Sequence, residues 1–179
     1  MDPYPFLRPL LFRLSAEQAH RLTIRMVKIG MQMPGFHALT ASKAQHPANQ
    51  LTVCGLTFPN CLGLAAGLDK NAEMFNEMLA IGFGFVEVGT VTPRPQYGNP
   101  RPRVFRLVRD EALINRLGFN NDGADRIARR LANRRKSGII GGNIGKNKDT
   151  PNEKAPYDYA EAFRKLAPYV DYFTINVSS

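Results

Sequence analysis

Residues 62–91 read LGLAAGLDKNAEMFNEMLAIGFGFVEVGTV, and this stretch decides the fold. Its opening, 62–67, is a short apolar run that ends in small residues. Its close, 85–91, is a second apolar run, rich in β-branched residues. Between them Met74, Phe75, Met78 and Leu79 recur at helical spacing. An apolar run, a helical stripe and another apolar run are the pattern of two buried parallel strands joined by a crossover helix.

The pattern repeats outward. Residues 138–145 and 172–178 read as further strands, while Ile127 and Leu131 with nearby alanines, and then Tyr159, Phe163 and Leu166, mark helical stripes. Upstream, 51–58 places a Cys54-Gly55 turn between apolar runs, the pattern of a small hairpin. Alternating strands and helices predict an α/β fold with a parallel sheet. Two architectures remain open, a small doubly wound sheet and the first half of a (β/α)8 barrel. Small and polar residues capable of chemistry, Lys70, Thr90, Asn143, Asn176 and Ser179, fall at the strand ends where barrels place their sites, which favours the barrel.

Residues 1–40 read as a separate segment. Tyr4, Phe6, Leu7, Leu10, Leu11, Phe12 and Leu14 form an apolar cluster broken by Arg8 and Arg13. Ser15 with Gln18 has the form of a capping box, and Ala19, Leu22, Met26 and Ile29 then mark one apolar helix face beside Arg21, Arg25 and Lys28. An amphipathic hairpin of this kind lies in a membrane interface or packs on its domain. No run reaches the length of a membrane-spanning helix. Residues 33–49, with Pro34, Gly35 and Pro47, suit a linker.

The 179 residues carry 24 Lys and Arg against 15 Asp and Glu, a formal charge of +9. Their apolar content excludes a disordered chain, and two cysteines exclude a disulfide scaffold. Eleven of the cations lie in 101–136 against four acids. Arg126, Arg129, Arg130 and Arg134 sit at helical spacing opposite Ile127 and Leu131, as on a solvated helix face, and no nucleic-acid motif accompanies them. Nucleic acid is therefore not an expected partner.

Four segments supply candidate chemistry. In 63–71, Ala65, Ala66 and Gly67 let a flat ligand approach the backbone, with Lys70 as a cation at the rim; a tight turn with a solvated lysine is the other reading. Residues 92–121 form a long connection stiffened by Pro93, Pro95, Pro100 and Pro102, and its Asn115, Asn120 and Asn121 offer amides to a planar ligand or shape a turn. The run 141–147 lacks the first glycine and the hydroxyl of a phosphate loop, so Asn143 is better suited to a heterocycle. Asn176 and Ser178 share one strand face, with Ser179 beginning the next loop. His20, His37 and His46 and the two cysteines lack ligand spacing, so no metal site is expected.

Taken in order, GLAAGLDKN, VEVGTVTPRPQYGNPRPRVFRL, INRLGFNNDG, GGNIGKNKDTP and YFTINVSS resemble the dihydroorotate dehydrogenase family from about residue 51 to the last. The resemblance implies an FMN-binding α/β barrel that oxidises dihydroorotate to orotate in pyrimidine synthesis. The N-terminal helices and the final serine resemble the class 2, membrane-associated branch, which passes its electrons to ubiquinone or a similar quinone. That implies a quinone-access segment over 1–40 and the N-terminal half of the barrel over 41–179. With no Arg- and Ser-rich transit segment ahead of the hairpin, a peripheral position on the cytoplasmic side of a bacterial membrane is expected, not a mitochondrial one.

By matching position, the resemblance assigns FMN contacts to Ala66, Gly67, Leu68, Asp69, Lys70, Thr90, Asn143 and Asn176. It assigns orotate contacts to Lys70, Asn115, Arg116, Leu117, Gly118, Phe119 and Asn176. Ser179 matches the catalytic base. The family pattern runs on past Ser179, so this stretch is expected to be an N-terminal portion, inactive alone. A membrane or partner-binding module without flavin is the alternative.

Overall fold

The computed structural model describes residues 4–33, 50–135 and 138–177. Most of the expected linker over 33–49 lies outside these, as do Ser178 and Ser179. Two helices come first, α1 (Tyr4–Phe12) and α2 (Ala16–Gln32). The capping box forms as expected: the Gln18 backbone N–H donates to Ser15 Oγ, and the Ser15 N–H donates to Gln18 Oε1. Strands β1 (Leu51–Val53) and β2 (Leu56–Phe58) pair antiparallel around Cys54 and Gly55. Both turn residues have positive φ, 49° and 78°, as a two-residue hairpin turn demands.

The sheet is built from β3 (Gly63–Leu64), β4 (Phe85–Val91), β7 (Ile139–Ile144) and β8 (Tyr172–Ile175), all parallel and ordered β3-β4-β7-β8. Each strand of this sheet lies beside the sheet's next strand in chain order, the order of a barrel wall and not of a doubly wound sheet, whose order reverses. Helix α3 (Phe75–Ile81) links β3 to β4, and α5 (Ala155–Leu166) links β7 to β8. Between β4 and β7 come α4 (Ala124–Leu131) and a feature the sequence reading missed. Strands β5 (Val104–Leu107) and β6 (Ala112–Asn115) pair as an antiparallel hairpin inside the long connection.

Strand alternation sorts the two faces. Val86, Val88, Ile140 and Ile144 are fully buried under Phe75, Met78, Ile127, Leu131 and Leu166 of the helices. Burying each aliphatic side chain contributes about 1.5–3 kcal/mol, so this layer fixes the sheet. The opposite face carries Phe85, Glu87, Gly141, Asn143, Tyr172 and Thr174. A register shift between Val88 and Val91 returns Val91 to the core and leaves Thr90 on the interior side. Bulky and small residues interlock there: a Cβ on Gly63 would stand 2.1 Å from the Phe85 ring, and one on Gly141 would stand 2.3 Å from that of Tyr172.

Two expected helix faces are corrected. On α5 Leu166 is buried and Tyr159 packs against the core as expected, Asp158 and Ala162 join them on the inward face, and Phe163 instead stands half exposed against Phe173. Asp158 turns inward because its carboxylate accepts the Asn147 N–H at 2.8 Å and the Thr150 hydroxyl at 2.7 Å. The basic face near α4 is only partly solvated. Arg130 pairs with Asp122 at 2.6 Å, and Arg134 pairs with Asp171 at 2.5 Å while donating to the Gly138 and Tyr169 carbonyls.

Candidate functional site

The C-terminal ends of β3, β4, β7 and β8 open on one cavity of about 730 Å³. After β3, Ala65, Ala66, Gly67 and Lys70 line it. Glu87 and Thr90 come from β4, Asn143 from β7 and Asn176 from the end of β8. Asn99 and the run Asn115, Arg116, Leu117, Gly118 and Phe119 close the far side. The convergence is tight enough that a Cβ on Gly145 would stand 2.8 Å from Thr90 Cγ2 and 3.7 Å from both the Asn176 carbonyl and the Phe119 ring.

Gly67 is required where it stands. Its φ is 109°, its N–H donates to the Gly89 carbonyl at 2.8 Å, and a Cβ on it would meet only Lys70 Nζ at 4.0 Å. A side chain there would project into the cavity, so the bare backbone is the cradle. Lys70 donates to the Gly67 carbonyl. Burial and then the positive charge of Arg103 hold its ammonium below the usual lysine range, opposed by Glu17. A partly desolvated cation of this kind favours an anionic ligand, which would supply the missing counter-charge.

Most residues assigned by sequence meet here: Ala66, Gly67, Lys70, Thr90, Asn143, Asn176 and the whole run 115–119. Leu68 and Asp69 do not line the cavity. Leu68 is exposed, while Asp69 is 1% exposed and uses its carboxylate to accept the Glu73 and Met74 N–H groups at 2.7 and 2.9 Å. Burial raises the Asp69 pKa against those hydrogen bonds, and its effect is to anchor the loop that carries Lys70. Asn121 is a turn residue: its Oδ1 accepts the Thr92 and Gly123 N–H groups, and its amide donates to Thr92 Oγ1 and the Phe119 carbonyl.

Three contributors escaped the sequence reading. Glu87 carried a signal, being an acid inside an otherwise apolar strand. Asn99 lines the cavity and donates to the Arg116 carbonyl at 2.8 Å. The third is the joint between α2 and the site. Arg103, 4% exposed, places Nε and Nη2 at 3.1 and 2.8 Å from Glu17 Oε1 and donates to the Tyr97 and Asn99 carbonyls. Arg106 donates to the Leu14 carbonyl at 2.7 Å and stands 4.6 Å over the Phe12 ring. His20, half-buried, has a lowered pKa through burial and then the charge of Lys70, so α2 reaches the electrostatics of the cavity.

Both helices keep apolar residues outside. Ile24 and Val27 pack against the core, yet Phe6, Leu10, Met26, Ile29 and Met33 are all exposed. The expected apolar face of α2 is thus divided, with Ala19 buried and Leu22, Met26 and Ile29 toward solvent. Among the described residues no helix is long and apolar enough to cross a membrane.

A barrel-type parallel sheet with amides, a lysine and small residues at its C-terminal mouth defines a protein of the α/β-barrel class, with a cavity whose lining suits a flat, hydrogen-bonding ligand. A family model described as dihydroorotate dehydrogenase matches residues 48–179, and the chain belongs to that family. It is 52% identical to the dihydroorotate dehydrogenase (quinone) of Novosphingobium aromaticivorans, over all of this chain and 50% of the relative. It is 51% identical to the proteins of the same name from Stenotrophomonas maltophilia and Coxiella burnetii, over 98% of this chain and 50% of each. The ligand-free DHODH structure from Eimeria tenella superposes with a TM-score of 0.79 at 42% identity, covering 91% of this chain and 46% of that one. The complex of DHODH from that organism with ferulenol gives a TM-score of 0.78 at the same identity, covering 44% of its chain. The chain spans about half the length of the curated relatives it matches.

Proposed function

We propose that this chain supplies the flavin- and substrate-facing wall of a quinone-dependent dihydroorotate dehydrogenase. The observation that carries the reading is the convergence of Gly67, Lys70, Thr90, Asn143, Asn176 and the run 115–119 on a single cavity. Its floor is bare backbone, its walls are amides and its rim is a cation, a set that suits the ring of FMN beside a planar carboxylate. Held by Ala66, Gly67, Thr90, Asn143 and Asn176, FMN would supply the hydride-accepting and electron-passing chemistry between dihydroorotate and a quinone.

The protein's own residues hold and orient. Ala66 and Gly67 give the ring its close approach, while Thr90, Asn143 and Asn176 bond its polar edge. Lys70 sits where an orotate carboxylate would relieve its desolvation, and Asn115 to Phe119 clamp the substrate plane. Ser179 is assigned the proton at C5 by its match to the family base. The exposed apolar side chains of α1 and α2, bordered by Arg8, Arg13, Arg21, Arg25 and Lys28, suit a membrane interface on the cytoplasmic side of a bacterial membrane, where ubiquinone or a similar quinone is dissolved.

A chimera joining this chain to the complementary half of the Novosphingobium relative tests the reading. It is expected to purify yellow, to bleach when dihydroorotate is added and to sediment with anionic vesicles. Ser179→Ala should keep the colour and slow bleaching by at least about a hundredfold, the ordinary scale for a positioned general base. A colourless chimera, or bleaching indifferent to Ser179, contradicts it.

A further inference from the structure

Glu87 is an acid in the middle of β4, and a carboxylate inside a sheet is costly unless its oxygens are hydrogen-bonded. Its partners are all donors. Asn143 Nδ2 donates to Oε1 at 2.8 Å, while the Thr174 hydroxyl and the Tyr172 phenol donate to Oε2 at 2.9 and 3.3 Å. The bonds behind Asn143 run in the same sense. The Thr90 hydroxyl donates to Asn143 Oδ1 at 2.6 Å, and Asn176 Nδ2 donates to Thr90 Oγ1 at 2.9 Å. One donor chain therefore crosses three strand ends, from Asn176 through Thr90 and Asn143 to Glu87.

The direction of this chain has a single cause. An amide has a donor end and an acceptor end, a threonine hydroxyl has one proton, and a carboxylate only accepts. Turning the Asn143 amide over would set Oδ1 against the Glu87 carboxylate and leave the Thr90 proton without its acceptor. We propose that Glu87 is a positioning residue: as the terminal acceptor, it fixes which ends of Asn143 and Thr90 face the cavity. Thr90 gives its proton to Asn143, so toward a ligand it acts only as an acceptor. The donor beside it is the second N–H of Asn143. The consequence for a flavin rests on the proposed function, but the orientation itself does not.

Glu87→Gln is the sharp test, because it conserves shape and still offers an acceptor to Thr174 and Tyr172 while removing the acceptor-only character. The side-chain amide of Asn143, read by nitrogen-15 NMR on the 179-residue chain, should show one slowly exchanging pair of signals in the unsubstituted protein. In E87Q the pair should split or broaden, and its solvent exchange should quicken about tenfold or more, the scale of one lost charge-assisted hydrogen bond. Unchanged shifts and exchange would overturn the proposal.

A second variant covers a failure to fold. Combining E87Q with N143D moves the carboxylate one place along the chain, where it accepts from the new amide at position 87 and from Thr90. This pair is expected to melt close to the unsubstituted protein, whereas N143D alone sets two carboxylates together and melts lowest. No recovery in the double variant overturns the proposal. Neither readout involves flavin, so a failure of the flavin reading is seen separately.

Discussion

At their C-terminal ends the four parallel strands present Lys70, Thr90, Asn143 and Asn176 to one polar cavity. At the opposite end Phe85 and Tyr172 join Phe58 of the β1–β2 hairpin around a second cavity of about 460 Å³, lined mostly by Leu51, Val53, Leu56 and these rings. The mouth is held chiefly by directional hydrogen bonds and the base chiefly by contact between rings and aliphatic groups, with the Tyr172 phenol reaching from the base to Glu87. Bonds of the first kind fix the position of each donor and acceptor. The second kind tolerates adjustment, because apolar contact has no preferred direction.

Glycine substitutions at the two ends should show the largest contrast. At Gly89, φ is 129° and a Cβ would stand 2.4 Å from the Asn143 carbonyl oxygen, so both the backbone and the strand spacing oppose a side chain. Gly89→Ala is expected to cost about 3 kcal/mol or more in urea unfolding. Gly63→Ala meets the far end of the Phe85 ring, a side chain bordering the apolar cavity and not backbone, so a smaller cost of about 1–2 kcal/mol is expected. Equal costs would remove the distinction between the two ends.

Next in size is the joint that holds α2 against the mouth. The hydrogen bond from Arg103 holds the Glu17 carboxyl below its ordinary range, with burial opposing and the charges of Arg103, Arg101 and Arg21 adding. A depressed folded-state pKa stabilises the protein above the ordinary carboxylate range, and that stability is lost as pH falls through the folded value. Glu17→Gln should therefore cost about 1–2 kcal/mol at neutral pH, and the difference should vanish in acid. A pH-independent difference would contradict the ion-pair account.

The smallest effect is expected at the base. Burial and the neighbouring Glu87 carboxylate raise the pKa of the Tyr172 phenol, so it stays protonated and donates throughout the neutral range. In Tyr172→Phe, Glu87 keeps its bonds from Asn143 and Thr174, so about 0.5–1 kcal/mol is expected with no change in flavin or orotate binding. A binding defect as large as that of a mouth substitution would show that the Tyr172 bond to Glu87, and not only those from Asn143 and Thr174, sets the geometry of the mouth.

The elements that bury one face through local periodicity were legible. Residues 85–91 were expected as a strand and form one, the Cys54-Gly55 turn closes the expected hairpin, and Ser15 caps α2. Most of the cavity lining was also legible, because small residues, amides and a lysine recur at successive strand ends, although the same residue types also shape turns, as Asn121 does. What stayed hidden depends on partners distant in sequence. The β5–β6 hairpin lay within a connection read for its prolines and asparagines, although Val104-Phe-Arg-Leu107 and Ala112-Leu-Ile-Asn115 flank an Asp110-Glu111 turn with a positive φ at Glu111. The inward face of α5 follows from Asp158 meeting Asn147 and Thr150, and the role of Glu17 follows from Arg103, 86 residues away.

The most direct test of the central claim is a titration of the isotope-labelled chain with FMN, followed residue by residue by NMR, which registers even millimolar binding. The account predicts shifts confined to the mouth, at Gly67, Lys70, Thr90, Asn143 and Asn176, with Leu56, Phe58 and Tyr172 unmoved. Shifts centred on the apolar base, or none at the mouth at saturating flavin, would contradict it.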